Sequence, residues 1–315
     1  MTKIAILDDY QGVALSSADW SILDDCEISV FKQHLASVEE AAQALAPFDV
    51  ICLLRERMVV PRELIESLPA LRLIAATGPH NRTIDYVAAQ ERAIPVLHTP
   101  SPRLASQETV ELTWGLILAL ARNISLEDRA MRSGHWQTCL GTTIHGKTLG
   151  LLGFGRLGTR VAAVAAAFGM QVIAWSSNLN EEAARAGGAR YVSKEALFAQ
   201  SDFVSVHLVL GDRSRGLVAQ PELSLMKPSA YLINTSRGPI VDEASLIHAL
   251  RAKSIAGAAL DVFDTEPLPE HHELRTFDNA LLTPHLGYVT EESMKSFYSA
   301  SVENIRAFLS RASHV

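Results

Sequence analysis

Short apolar runs of strand length alternate with amphipathic helical stretches along almost the whole chain. This alternation is typical of a parallel sheet covered by helices on both faces, so the sequence predicts an α/β protein. The predicted strands are Ile4–Leu7, Ile28–Phe31, Val50–Leu54, Leu73–Ala76, Val96–His98, Leu149–Leu152, Val172–Trp175, Phe203–Leu208, Tyr231–Asn234, Ala258–Val262 and Leu281–Thr283.

The strands form two series, and a chain of 315 residues is long enough for two domains at roughly 150 residues each. Two prolines interrupt the alternation in Thr99–Arg103, just before a helical stretch over Glu108–Arg122. We therefore expect a first domain that ends at residue 101 and a second that spans residues 102–289. The spacing of apolar residues predicts a last helix over Thr290–Ser310, but periodicity leaves open which domain it packs on.

Composition excludes several classes of protein. Hydrophobic residues make up 48% and charged residues 20% of the chain, which is typical of a folded domain. The formal net charge is −7 and no basic stripe is present, so nucleic acid is not an expected partner. The apolar run Leu112–Ala121 is too short to span a membrane, and Asp8 and Asp9 come too early for a signal peptide. We expect a cytoplasmic protein with no membrane partner.

The three cysteines are scattered along the sequence. Cys26, Cys52 and Cys139 have no close-spaced Cys or His neighbour of the kind that builds a zinc site. We expect all three to be reduced and to pack as small hydrophobic side chains. No metal site is predicted.

A glycine-rich motif follows the strand Leu149–Leu152. Gly153, Gly155 and Gly158 have G-x-G-x-x-G spacing and lead directly into the helical run Thr159–Phe168. In such a motif the first glycine permits a tight turn, the second lets the backbone approach a pyrophosphate, and the third lets the helix pack on the strand. The glycines alone also fit a turn that binds no ligand, but strand, helix and following strand together favour a dinucleotide.

The end of the next predicted strand lacks the acidic residue that would bind the adenosine ribose hydroxyls of NAD. Ser176 stands there, and its hydroxyl would not repel the 2′-phosphate of NADP. No Lys or Arg appears before Arg185 to attract that phosphate. The sequence predicts an NAD or NADP cofactor with relaxed choice between the two.

Charged groups follow three strands of the second domain, where ligands of open α/β sheets bind. Arg237 could bind a carboxylate and polarise a carbonyl through its guanidinium fork, and His285 could exchange a proton near neutral pH. Glu266 could orient the imidazole, and Asp261 could bind the ribose or nicotinamide end of the cofactor. Each residue singly also fits a structural interpretation, as a solvated loop charge or a capping or core histidine.

In these motifs the sequence resembles the D-isomer-specific 2-hydroxyacid dehydrogenases, the group that includes phosphoglycerate, glyoxylate and hydroxypyruvate reductases. The resemblance covers nearly the whole chain. The motifs that carry it are Gly146-Lys-Thr-Leu-Gly150 with Gly153-Phe-Gly-Arg-Leu-Gly158, Asn234-Thr-Ser-Arg-Gly238 with Val241-Asp-Glu243, Ala259-Leu-Asp-Val262 with Glu266-Pro267, and Thr283-Pro-His-Leu-Gly287.

The resemblance implies hydride transfer at C2 of a small 2-oxo or 2-hydroxy acid, with Arg237, Glu266 and His285 as the catalytic set. It implies two Rossmann-like domains: a discontinuous, flavodoxin-like substrate domain of residues 1–101 and 290–315, and an NAD(P)-binding domain of residues 102–289 with a parallel sheet. It also implies a homodimer built through the cofactor domain. The implied cofactor-binding residues are Gly153, Gly155, Arg156, Leu157, Gly158, Ser176, Leu208, Thr235, Ser236, Asp261 and His285 through Gly287.

The chain departs from the family pattern where the substrate is expected to bind. The resemblance implies that the segment Thr77-Gly-Pro-His-Asn81 binds the substrate carboxylate through backbone N–H groups, but Pro79 has none. The carboxylate would then depend on Gly78, His80 or Arg237. Arg55, Thr77 and Gly78, with Arg237 and His285, are the expected substrate-binding residues. Further departures are Val209 in place of a proline and Tyr288 in place of a small residue. A cluster of Arg55, Arg57, His80 and Arg82 fits either a substrate with a second anionic group or ordinary surface charge.

Two other classes share these motifs. Formate dehydrogenases lack a carboxylate partner for the histidine, so Glu266 argues against them. Transcriptional corepressors of this fold bind the dinucleotide as a ligand and keep similar residues, so the motifs do not exclude a sensor with little turnover. The absence of a peptide-docking extension after the last predicted helix favours the enzyme.

Overall fold

The computed structural model describes residues 1–312. Contacts between Cα atoms divide the chain into two compact units: a first unit of Met1–Ala105 and the chain from Val289 onward, and a second unit of Ser106–Tyr288. Each unit contains one sheet, and every strand pair in both sheets is parallel. The predicted α/β class with two Rossmann-like domains is therefore confirmed.

The first unit has five strands in the order β2-β1-β3-β4-β5, which is the flavodoxin-like order. Its elements are β1 (Thr2–Ile6), α1 (Ala14–Ser17), β2 (Cys26–Val30), α2 (Val38–Leu45), β3 (Val50–Leu53), α3 (Arg62–Ser67), β4 (Leu73–Ala76), α4 (Tyr86–Glu91), β5 (Val96–His98) and the last helix α12 (Glu291–Ala312).

Helices cover both faces of this sheet, and every residue of β3 and β4 is buried. That burial explains why these strands are continuous apolar runs rather than alternating ones. Helix α12 packs against α1, β4 and β5. Tyr298 of α12 is fully buried beside Trp20, and the Asn304 side chain donates a hydrogen bond to the carbonyl of His98. Helix α12 thus belongs to the first unit.

The second unit has seven strands in the order β12-β11-β10-β9-β6-β7-β8. Its elements are α5 (Ala105–Ala121), α6 (Ile124–Arg132), β6 (Thr148–Leu152), α7 (Arg156–Ala167), β7 (Gln171–Trp175), α8 (Glu181–Ala186), β8 (Arg190–Tyr191), α9 (Lys194–Gln200), β9 (Phe203–Val206), α10 (Gln220–Leu225), β10 (Tyr231–Asn234), α11 (Glu243–Arg251), β11 (Gly257–Leu260) and β12 (Ala280–Leu282).

The direction in which strands are added reverses at β6, which pairs with β7 on one side and with β9 on the other. In open α/β sheets ligands bind at this switch point, outside the carboxyl ends of the strands. The loops that follow β6 and β9 meet there. The fold therefore places the glycine-rich loop where a dinucleotide would bind.

The cysteines fall into three environments. Cys52 is buried and Cys26 half-buried, but Cys139 is exposed, so the expectation that Cys139 packs as a core residue is wrong. It follows α6 in a loop where its thiol and N–H donate hydrogen bonds to the Glu127 carboxylate. Residues 1–312 contain no cluster of three or more His, Cys, Asp or Glu side chains that could hold a metal. Within the same range, no helix is both long and apolar enough to cross a membrane.

Candidate active site

The glycine-rich loop makes a tight turn between β6 and α7. Gly153 has a φ of +102°, and a Cβ atom there would lie 2.5 Å from the carbonyl oxygen of His207. A Cβ at Gly158 would lie 2.5 Å from the carbonyl oxygen of Gly153. Neither position can therefore carry a side chain. Both are too close to backbone atoms, and Gly153 also has a backbone conformation that favours glycine.

Gly155, by contrast, faces open space, since a Cβ built on it would meet no atom within 4 Å. It is the N-cap of α7, and no side chain caps that helix terminus. The first helical residues are Arg156 and Leu157. A helix N-terminus carries N–H groups and a partial positive charge suited to phosphate. The loop therefore fits the pyrophosphate of a dinucleotide.

The other predicted cofactor residues lie at the carboxyl ends of neighbouring strands. Ser176 directly follows β7, is half-buried, and its carbonyl accepts the N–H of Leu179. The hydroxyl of Ser236, after β10, donates a hydrogen bond to the carbonyl of Leu208, after β9. The structure thus brings the loops of β9 and β10 together beside the glycine-rich loop.

His207, the residue before Leu208, holds the end of β9. Its Nε2 lies 2.9 Å from the hydroxyl of Ser205, and burial lowers the pKa of His207 to about 4. The imidazole is therefore neutral at physiological pH. We assign His207 a structural role, in which its hydrogen bond to Ser205 holds the loop after β9.

Arg237 stands in a loop held by the buried amide of Asn234. That side chain donates to the carbonyl of Arg237 at 2.9 Å and accepts the N–H of Ser236 at 3.0 Å. The next residue, Gly238, packs directly on the backbone of Phe263 and leaves no room for a Cβ. The Nη1 of Arg237 donates to the Ser236 carbonyl at 2.8 Å. These contacts fix the guanidinium after β10 and bring its loop against the one after β11.

His285 and Glu266 form a hydrogen-bonded pair. The Nδ1 of His285 lies 2.6 Å from Glu266 Oε2, and the side chains are 27% and 32% exposed. The other carboxylate oxygen accepts the N–H of Phe263 at 2.9 Å. The ring of Tyr288 meets the imidazole edge-to-face, with 5.5 Å between ring centroids. The imidazole is thus oriented, yet it remains accessible to a small molecule.

Asp261 holds the loop that carries the histidine. Its carboxylate is fully buried and accepts the hydroxyl of Thr283 and the N–H groups of Leu286 and Gly287, at 2.7, 2.7 and 2.9 Å. Burial raises the pKa of Asp261 above its ordinary value, although these hydrogen bonds oppose the shift. His285 has a φ of +53°, a strained conformation for a residue with a side chain. The three hydrogen bonds stabilise that conformation. Contact of Asp261 with the cofactor stays a prediction.

Substitution of Asp261 by asparagine should destabilise this loop. In the variant, the amide Nδ2 would stand where a carboxylate oxygen now accepts a hydrogen bond. It would face an N–H or O–H donor, and that buried donor would lose its hydrogen-bond partner. We expect the free energy of unfolding to fall by about 1–3 kcal/mol, measured by urea denaturation. Asp212→Asn, on the exposed Asp212, is the matched control and should change it by less than about 0.5 kcal/mol. Equal stability of the two variants would contradict this view of Asp261.

Two threonines of α5 also contact these loops, and the sequence did not single them out. The hydroxyl of Thr109 donates to the carbonyl of Gly287 at 2.9 Å, and the hydroxyls of Thr113 and Thr235 lie 3.0 Å apart. The available signal was the spacing of two hydroxyl residues by four within a predicted helix, which places them on one face. That signal is weak without knowledge of what the face contacts.

In the first unit, two of the N–H groups in the segment predicted to bind substrate are engaged within the protein. The N–H of Thr77 donates to the carbonyl of Leu53 at 3.0 Å, and that of Gly78 to the hydroxyl of Thr99 at 2.7 Å. The structure therefore does not offer these two N–H groups to a ligand. The physical reason is that the chain just after β4 still forms hydrogen bonds with the ends of the two neighbouring strands, β3 and β5.

Arg55 lies against this segment instead. Its φ is +56°, and its N–H donates to the hydroxyl of Thr77 at 2.6 Å while its carbonyl accepts the side-chain amide of Asn81 at 2.7 Å. The guanidinium rests on the backbone of Gly78 in space that a Cβ would occupy. Arg57, also after β3, stacks on Tyr10 at 4.8 Å. The structure thus brings Arg55, Thr77 and Gly78 together.

Known proteins resemble this chain in sequence and in fold. Residues 114–287 match the model of the D-isomer specific 2-hydroxyacid dehydrogenase, NAD binding domain. A glyoxylate reductase of Aeropyrum pernix is 41% identical over 255 residues, which are 78% of this chain and 76% of that protein.

Two solved structures extend the similarity over the whole chain. A phosphoglycerate oxidoreductase from Vibrio cholerae has a TM-score of 0.92 and 34% identity, covering 99% of this chain and 100% of that one. A D-lactate dehydrogenase from Aquifex aeolicus, complexed with NAD and lactic acid, has a TM-score of 0.76 and 26% identity, covering 98% and 95%.

The chain therefore belongs to the D-isomer-specific 2-hydroxyacid dehydrogenase family. It is an oxidoreductase that acts on the CH–OH group of 2-hydroxy acids and uses a nicotinamide dinucleotide.

Proposed function

We propose that this enzyme reduces a small 2-oxo acid to the D-2-hydroxy acid, with Arg237 binding the substrate and the His285–Glu266 pair handling the proton. Bound NADH or NADPH supplies the hydride. The observation that carries the proposal is the 2.6 Å hydrogen bond between His285 Nδ1 and Glu266, because it fixes both the orientation and the tautomer of the imidazole.

A carboxylate at Nδ1 holds a proton on that nitrogen and leaves Nε2 for proton exchange with the substrate. During reduction, Nε2 of the imidazolium donates its proton to the C2 oxygen. In the reverse direction neutral Nε2 accepts the proton of the hydroxyl. Glu266 stabilises the cationic form of His285 in both directions. General acid–base catalysis of this kind contributes about 10²–10⁴-fold to a rate.

Arg237 is proposed to bind the carboxylate and polarise the C2 carbonyl. A guanidinium stays charged and binds carboxylates through two parallel N–H groups. The first unit is proposed to act as the substrate domain. The N–H groups of Thr77 and Gly78 already donate hydrogen bonds within the protein. We therefore propose that the first unit binds the substrate through the guanidinium of Arg55, which rests on Gly78. The cluster that includes Arg57 would favour a substrate with a second anionic group.

Cofactor choice is proposed to be relaxed, with less than a hundredfold difference in kcat/KM between NADH and NADPH. Ser176, after β7, supports this because its hydroxyl neither binds the ribose diol as a carboxylate would nor repels a phosphate.

We expect Ser176→Asp to lower kcat/KM for NADPH by at least about tenfold through charge repulsion. Ser176→Thr keeps a hydroxyl and should preserve the ratio of kcat/KM for NADH to that for NADPH. Steady-state kinetics with each cofactor measures it. A wild-type preference above a hundredfold for NADH would contradict relaxed choice.

A homodimer through the second unit is proposed as well. Large apolar side chains are exposed within residues 124–140: Trp136 is 73% and Leu140 95% exposed, and Ile124 and Met131 are also exposed. Exposed apolar surface of this kind marks interaction sites. Light scattering coupled to size-exclusion chromatography tests the dimer, and a monomer at micromolar concentration would contradict it. Cytoplasmic location stays a prediction.

The reaction itself is tested by following NADH and NADPH oxidation with glyoxylate, hydroxypyruvate, pyruvate, phenylpyruvate and 2-oxoglutarate. Turnover of any of these acids supports the proposal and identifies the preferred cofactor. Preference for 2-oxoglutarate would support the second anionic group. Tight dinucleotide binding without turnover on the whole panel would instead favour the sensor class.

A further inference from the structure

Helix α5 contributes a hydrogen bond to the cofactor side of the candidate site. Thr113 is fully buried, and its hydroxyl donates to the carbonyl of Thr109, one turn earlier, at 2.8 Å. The same oxygen lies 3.0 Å from the hydroxyl of Thr235, in the loop after β10. Threonine hydroxyls in helices commonly bond to the carbonyl four residues before them.

The direction of the second hydrogen bond follows from the first. A threonine hydroxyl has one hydrogen and two lone pairs. Since Thr113 gives its hydrogen to Thr109, its oxygen can only accept from Thr235. The hydrogen of Thr235 is thereby committed, and the Thr235 oxygen can offer a ligand only its two lone pairs.

We propose that Thr113 is a positioning residue that makes Thr235 a hydrogen-bond acceptor for a donor group of the dinucleotide, either a ribose hydroxyl or the nicotinamide amide. The proposal rests on the place of Thr235 at the cofactor. Thr113 itself is buried and acts only through Thr235. Without the Thr113 oxygen, the Thr235 hydroxyl can turn its hydrogen toward the dinucleotide. The Thr235 O–H would then face the donor group of the ligand, and no hydrogen bond would form between them.

Titration of NADH against protein fluorescence tests this without any substrate. We expect Thr113→Val, which keeps the shape of the side chain, to weaken NADH binding about three- to tenfold. Thr113→Ser keeps the hydroxyl and should bind NADH within about twofold of wild type. Thermal unfolding of each variant shows that the protein tested is folded.

A double-mutant cycle separates the proposed route from a general structural effect. If Thr113 acts through Thr235, then Thr113→Val should add no further loss in a Thr235→Val background. The same titration with ADP-ribose distinguishes the donor group: loss of affinity indicates a ribose hydroxyl, and unchanged affinity indicates the nicotinamide amide.

Unchanged NADH affinity in Thr113→Val would overturn the inference, as would an equal loss in both backgrounds. The proposed reaction fails separately, because a protein that binds NADH and shows the expected cycle but turns over no 2-oxo acid would retain this inference and lose the reductase assignment.

Discussion

Replacement of His285 by alanine is expected to lower kcat at least ~100-fold, with NADH affinity within about threefold of wild type. The reason is that the imidazole, held at Nδ1 by Glu266, is the only group we assign to proton exchange with the C2 oxygen. Alanine removes that group and leaves the glycine-rich loop intact. Stopped-flow or steady-state oxidation of NADH measures the rate, and fluorescence titration measures the affinity.

Glu266→Gln is the matched comparison for this prediction. The amide oxygen can still accept the hydrogen on Nδ1, but the side chain no longer carries the negative charge that stabilises the imidazolium, and its amide nitrogen then faces the N–H of Phe263. We expect an intermediate loss of about tenfold in kcat, since a hydrogen bond to a charged group is worth roughly twice a neutral one. Near-normal turnover in His285→Ala would remove His285 from the mechanism.

Arg237→Lys is expected to lower kcat/KM by about 10–100-fold, the range of a lost charge-assisted hydrogen bond. An ammonium keeps the charge but cannot reproduce the bidentate fork that binds a carboxylate. It would also lose the contact by which the guanidinium bonds to the Ser236 carbonyl. The loss should fall on both KM and kcat, because the same fork holds the carboxylate and polarises the carbonyl.

The control for Arg237 is Arg213→Lys, since Arg213 is exposed in the same unit. That variant should leave the kinetic constants unchanged. If Arg237→Lys behaves in the same way, Arg237 is an ordinary loop charge and the substrate must be held by other groups.

Much of the fold follows from local sequence. Apolar runs such as Val50–Leu53 predict buried parallel strands, because both faces of the strand are covered and no polar residue alternates with the apolar ones. The conformation at Gly153 and the close packing at Gly158 also follow from the spacing of glycines between a strand and a helix. The two-residue strand β8 was not predicted, since two residues carry no periodicity.

The site was less predictable wherever it depends on groups that tertiary packing brings together. The chemistry and the family resemblance predicted that Glu266 lies beside His285. The spacing of the two residues alone does not predict this, because neither segment shows that β11 and β12 are neighbours in the sheet. The hydrogen bond from Thr235 to Thr113 joins residues 122 positions apart. Likewise, nothing local shows that the N–H of Gly78 is taken by Thr99.

The most direct test of the central claim follows a deuterium atom. The protein is incubated with NADH that carries deuterium at both C4 positions and with each 2-oxo acid of the panel. Every product is analysed by mass spectrometry, and every product except the achiral glycolate is also analysed by chiral chromatography. The proposed reaction predicts a 2-hydroxy acid that carries deuterium at C2 in the wild type and has D configuration wherever C2 is a stereocentre. It also predicts at least ~100-fold slower formation of that product by His285→Ala. A product of L configuration, or one without deuterium at C2, would contradict hydride transfer by the proposed site.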